Sequence, residues 1–301
     1  MVCSNFKIML PTAFLVGLLL ISTFATEKSA RIFGGAQVQP GELPFNALIE
    51  LTKQDNSVRT SCGSVLSMQW ILTSSSSVQQ DSTRPGAFTV HAGKYDLLQR
   101  EGSEQSRSVQ RVLCHPEFDG SVEGHNDIAL LLLAQSLSFN DYVQPVALET
   151  NGLVYPTGVA TVSGYGSIRA DGSKASYLTR WSVTIMAPEV CIATLASSNL
   201  SLFCTDPATC EGDWGAPLVQ RRGDQWVQIG LMSSGTQCVF FGPPTYYTHV
   251  ARFFSWINET ISIPVADEPD GAVRPVSGVL LIGALFTATL YYLTHKQYIT
   301  Q

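Results

Sequence analysis

No block of lysine and arginine occurs in this chain, and charge of either sign is scarce. Charged residues make up 14% of its 301 residues, and the formal net charge is −6. A surface that neutralises nucleic-acid phosphates needs clustered cations, so no nucleic-acid partner is expected. There is no Cys-x-x-Cys pair and no cluster of histidine with cysteine, so no metal and no cofactor is expected. Internal repeats and low-complexity tracts are also missing. What remains is a chain long enough for one large domain or two small ones, each with a sizeable core.

Long apolar runs are present only at the two ends. Ile8–Phe24 follows Lys7 and precedes Ala25, the cation, apolar centre and small exit residue of a secretory signal peptide. Residues 1–25 are therefore read as that signal, with an uncleaved anchor as the alternative. The second run, Val276–Leu293, holds eighteen uncharged residues, close to the ~20 that a membrane-spanning helix needs. Tyr291 and Tyr292 stand at its inner end, where aromatic rings favour the interface. Residues 276–293 are read as a transmembrane helix, 264–275 as an acidic, proline-containing linker and 294–301 as a short tail. A removed lipid-anchor signal and a buried core helix are the competing readings, and the polar tail argues against the first. The expected location is the cell membrane, single-pass with the domain outside; a lipid-anchored or secreted protein is the alternative.

Cysteine usage fits that compartment. Of seven cysteines, Cys3 falls in the signal, leaving Cys62, Cys114, Cys191, Cys204, Cys210 and Cys238. An even number in an exported domain points to disulfides, although six cysteines allow 15 pairings. Asn199 and Asn258 begin glycosylation sequons.

Between Arg31 and Pro264 short β-like runs alternate with Gly, Pro, Ser and Asn: Phe45–Leu51, Ser64–Ser74, Phe88–Gly93, Asp127–Leu133, Gly158–Gly166 and Trp226–Ser234. That spacing argues for an all-β barrel or sandwich. His249–Ile261 is the one stretch with apolar residues at helical spacing.

Five blocks, in order, resemble trypsin-like serine proteases: Arg31-Ile-Phe-Gly-Gly35, Cys62–Ser77, His125–Leu133, Cys210–Val219 and Thr245–Ile257. The resemblance implies an all-β fold of two six-stranded antiparallel barrels with a C-terminal helix, over residues 32–263. It makes 26–31 a short propeptide, cleaved between Arg31 and Ile32, with Asp213 as salt-bridge partner of the freed amine. Such a protease needs a hydroxyl nucleophile, an imidazole base and a buried carboxylate. Here the carboxylate is Asp127, but the imidazole position is Ser76 and the nucleophile position is Trp214. The other histidines, His91, His115, His125 and His249, have no nucleophile to activate. The pocket positions become Ala208 at the base, with Ser233, Gly235 and Thr245 around it, and Ser234 replaces a tryptophan that backs the cleft. By family position Cys191–Cys204 and Cys210–Cys238 are bridges; the leftover Cys62 and Cys114, which match no family bridge, are read as a further pair, with two unbridged thiols as the alternative.

The expected function is therefore non-catalytic: an inactive protease homologue that binds a protein such as a protease, zymogen or inhibitor. Its role would be that of a cell-surface regulator, adaptor or decoy in a proteolytic or defence cascade. Adhesion or receptor work unrelated to proteolysis is the alternative from another class. An endopeptidase with unconventional residues is the third.

Overall fold

Alternation along β2 shows how the chain is laid out. Ala47, Ile49 and Leu51 belong to one buried cluster, while Leu48 belongs to another. Successive strand side chains point to opposite faces, so β2 has a core on each side. The computed structural model describes residues 35–120, 125–166, 175–195, 201–207, 213–234 and 243–262. The chain divides into Met1–Glu259 and Thr260–Gln301; of the second unit only Thr260–Ser262 is described.

The first half carries β1 (Ala36–Gln37), β2 (Asn46–Thr52), β3 (Val58–Val65), β4 (Trp70–Thr73), helix α1 (Ser75–Val78), β5 (Phe88–Ala92), β6 (Gln105–Cys114) and β7 (Ala129–Leu133). The second half carries β8 (Ala147–Leu148), β9 (Val159–Gly164), β10 (Thr179–Thr184), helix α2 (Pro188–Leu195), β11 (Leu202–Thr205), β12 (Pro217–Arg222), β13 (Gln225–Ser234), β14 (Thr245–His249) and helix α3 (Phe254–Ser262).

Strands β2 to β7 close into a barrel in the order β2-β3-β4-β7-β6-β5. Ile49, Val65, Ile71, Val90 and Leu131 fill it, and closure leaves no unpaired edge. Outward-facing Leu48 and Cys62, with Phe45 ahead of β2, join Val162, Leu218, Phe203 and Tyr247 of the second half in one continuous core.

Among the described residues no strand ladder closes the second half into the expected second barrel. The second half is an eight-stranded sheet in the order β1-β10-β9-β12-β13-β14-β11, with β8 alongside β13. Between β10 and β11 a ladder is replaced by the single bridge Ile185↔Thr205. Two-residue strands β1 and β8 supply the extra members.

Two sequence boundaries also move. Ser64–Ser74 splits into the end of β3 and all of β4, because Leu66 N–H turns back to the Trp70 carbonyl at 2.9 Å. His249 closes β14, and a 3-10 turn over Val250–Phe253 precedes α3, so the expected helix starts later. Residues 276–293 lie outside the described residues. Among the described residues no helix is long and apolar enough to cross a membrane.

Candidate functional site

Strand register brings the site together. Thr73 at the end of β4 pairs with Ala129 at the start of β7, and Ala129 also pairs with Cys114 at the end of β6. The residues just after β4 and just before β7 must therefore meet at one rim of the barrel. Asp127 sits there, 1% exposed. The carboxylate accepts the backbone N–H of Ser76 at 2.7 Å on Oδ1 and the Ser76 hydroxyl at 2.8 Å on Oδ2. From the second half, the Ser233 hydroxyl donates to Oδ2 at 2.7 Å. Thr248 Oγ1 donates to the Asp127 carbonyl at 2.8 Å, and Ser75 Oγ to that of Ile128 at 2.6 Å. Burial raises the Asp127 pKa, and the bonds from Ser233 and Ser76 oppose that rise. A buried carboxylate without such donors would be costly.

Trp214 is half-buried at the head of β12. Its carbonyl accepts the Cys62 N–H at 2.8 Å, which ties the turn to the first barrel. Gly215 has φ +79°, and a Cβ there would lie 2.3 Å from the Cys62 carbonyl oxygen and from Thr73 Oγ1. The turn thus admits glycine alone beside a large indole. Asp213, before it, is fully buried; its Oδ1 accepts Gly166 N–H at 2.8 Å and lies 3.8 Å from the Cys62 thiol. An indole offers one N–H donor and no oxygen.

The comparisons with known proteins agree with this frame. The family model described as Trypsin matches residues 32–257. The chain is 30% identical over 251 residues to chymotrypsin-like elastase family member 1 of Bos taurus, covering 78% of this chain and 91% of that protein. It is 28% identical over 243 residues to coagulation factor IX of Oryctolagus cuniculus, covering 77% and 85%. For coagulation factor IX of Cavia porcellus the identity is 29% over 247 residues, covering 78% and 83%.

This chain belongs to the trypsin family.

Within the trypsin-family frame, Ser233 is drawn to the Asp127 carboxylate, and Thr245 is buried opposite Thr205 in the β11–β14 ladder. Ser234 ends β13 opposite Tyr246. Arg31, Ile32, Ala208, Gly235, Cys210, Cys238 and Asn199 lie outside the described residues. Asn258 is exposed on α3.

The Cys191–Cys204 bridge is formed, with Cα atoms 5.6 Å apart. The expected Cys62–Cys114 bridge is not. Cys62 points out of the first barrel toward Asp213 and the second-half core, whereas Cys114 packs against the barrel interior beside Ser75. The barrel wall separates them. Burial, and for Cys62 the Asp213 carboxylate, push both thiol pKa values up.

None of the four domain histidines is bonded to Asp127. His91 contacts Glu50 and Ser106, and His115 lies against Phe253 and Trp256. His125 Nδ1 is 3.7 Å from an Asp119 carboxylate oxygen. His249 is buried edge-on against Phe203. Ser75 adjoins the motif residue Ser76, but nothing local in the sequence marks Thr248 as a member of the site. Among the described residues no group of three His, Cys, Asp or Glu could hold a metal. The rim therefore offers one carboxylate gripped by hydroxyls and an amide, and a serine hydroxyl accepts no proton near neutral pH.

Proposed function

We propose that the chain works without catalysis, by binding a protein partner at the site where relatives cut peptides. One observation carries this reading: the Asp127 carboxylate holds the hydroxyl of Ser76 where a protease would hold an imidazole. Loss of one triad member from a working enzyme costs about 10⁴–10⁶ in rate, and here Trp214 also removes the nucleophile. A half-buried indole beside a rigid turn is a good anchor for a protein surface, since aromatic residues concentrate binding energy. The partner is a protease, zymogen or inhibitor, and the chain regulates it as adaptor or decoy at the cell surface. Val276–Leu293 would anchor it, with the domain outside and glycans on Asn199 and Asn258. Cleavage after Arg31 would free an amine for Asp213 and reshape the binding surface.

The test uses the full chain after cleavage at Arg31. It should hydrolyse no member of a mixed peptide library, and it should change the activation rate of an added trypsin-family zymogen. Turnover would overturn the non-catalytic reading. Unchanged zymogen activation across a family panel would overturn the cascade role and leave adhesion.

A further inference from the structure

The hairpin joining β12 to β13 reads Arg221-Arg222-Gly223-Asp224-Gln225-Trp226. Arg222 pairs with Gln225, so Gly223 and Asp224 alone make the turn. Gly223 has φ +61° while Asp224 does not enter positive φ. Positive φ at only the first central position is the pattern of a type II′ turn, which follows the natural strand twist. Residues 221–225 are all exposed, and nothing lies within 4 Å of where a Gly223 Cβ would stand.

The apex is braced, not loose. Arg221 lies 4.7 Å over the Trp226 ring and donates to the Asp224 carbonyl at 2.8 Å. Arg222 pairs with the Glu149 carboxylate yet keeps half of its side chain exposed. A guanidinium has five N–H donors in a fixed fork, so this contact leaves donors for a partner. The Asp224 carboxylate makes no hydrogen bond or ion pair among the described residues. A II′ turn requires the glycine. It requires neither a half-exposed arginine before it nor an uncommitted aspartate after it.

A lone carboxylate cannot hold a metal, but it is a good ligand for a divalent cation held by another molecule. Such cations commonly take one or two carboxylates and keep open water positions. A planar guanidinium two residues away is suited to paired acidic acceptors. We propose that the Arg222-Gly223-Asp224 turn is a recognition site for a cell-surface adhesion receptor, one that supplies a divalent cation for Asp224 and an acidic pocket for Arg222. The site shares no residue with the Asp127 rim and does not rest on the reading of that rim.

The test is attachment of cultured fibroblasts to plates coated with the full chain, in Mg²⁺ or in EDTA. The variant is Asp224→Glu, which keeps the charge, lengthens the arm by one methylene and breaks no contact. Wild type is expected to support attachment in Mg²⁺, to lose it in EDTA, and to lose it to soluble Gly-Arg-Gly-Asp-Ser peptide. The variant should need about tenfold more coated protein for half-maximal attachment, the loss of one well-placed charged contact, with an unchanged urea midpoint. Equal attachment by the variant, attachment that survives EDTA, or no attachment to wild type would each overturn the proposal.

Discussion

The Ser76 hydroxyl lies 2.8 Å from one oxygen of the Asp127 carboxylate, and the Ser76 backbone N–H lies 2.7 Å from the other. One residue thus satisfies both oxygens of a buried acid, and Ser233 adds a third donor from across the interface between the two halves. The carboxylate has become a structural joint between β4, β7 and β13.

That joint can be weighed. Ser233→Ala removes a hydrogen bond to a buried charge, which contributes about 1.5–3 kcal/mol. Ser76→Ala should cost less, because the backbone N–H stays in place. The double variant should cost more than the sum, since it alone leaves the buried Oδ2 with neither hydroxyl donor. Urea unfolding at neutral pH reads all three; a Ser233→Ala midpoint equal to wild type would show that water replaces the hydroxyl.

His249 sets a pH dependence of known sign. Burial first, then the Arg252 charge, lower its pKa from 6.5 to about 4. A folded-state pKa below the unfolded one means that its contribution is present above pH 6.5 and is lost as pH falls through about 4. His249→Leu should therefore shrink the fall in urea midpoint between pH 7 and pH 5. The same fall in the variant would place the acid sensitivity elsewhere.

The two thiols should behave as separate groups. Alkylation of the unfolded chain without reductant should label the peptides carrying Cys62 and Cys114. In the folded protein Cys62 should react far more slowly, because it is 1% exposed and its thiol pKa is raised well above the usual value by burial and Asp213. A disulfide-linked Cys62–Cys114 peptide would contradict the structure.

Gly215→Ala should block formation of the turn ahead of β12. The added methyl would meet backbone and side-chain oxygens at 2.3 Å, and an L-residue at φ +79° adds about 1–2 kcal/mol of strain. Low soluble yield, or a melting temperature many degrees lower, is the expected outcome; a wild-type melting curve would count against the turn geometry.

The sequence displays most of the strands because alternation and turn residues are local signals. Phe45–Leu51, Phe88–Gly93 and Asp127–Leu133 land close to β2, β5 and β7. The split of Ser64–Ser74 is hidden because Leu66–Gln69 turns without glycine or proline. Asp127 and Ser76 are legible from their blocks, but the Thr248 bond to the Asp127 carbonyl spans 121 residues and leaves no local mark. The cysteine reading fails for a similar reason: two unmatched cysteines look like partners until the barrel wall stands between them. The shape of the second half depends on how β10 and β11 meet, a contact of one bridge that no pattern along either strand announces.

Intact-protein mass after exposure to a fluorophosphonate, a reagent that esterifies an activated serine, distinguishes a non-catalytic domain from a working protease. It should be measured on the chain cut after Arg31, with an active trypsin-family protease alongside. No mass increment is expected, because Ser76 is bonded to Asp127 as a donor and Trp214 has no oxygen to attack with. A stoichiometric adduct on any serine of the domain would mean that a working nucleophile survives, and would contradict the non-catalytic reading.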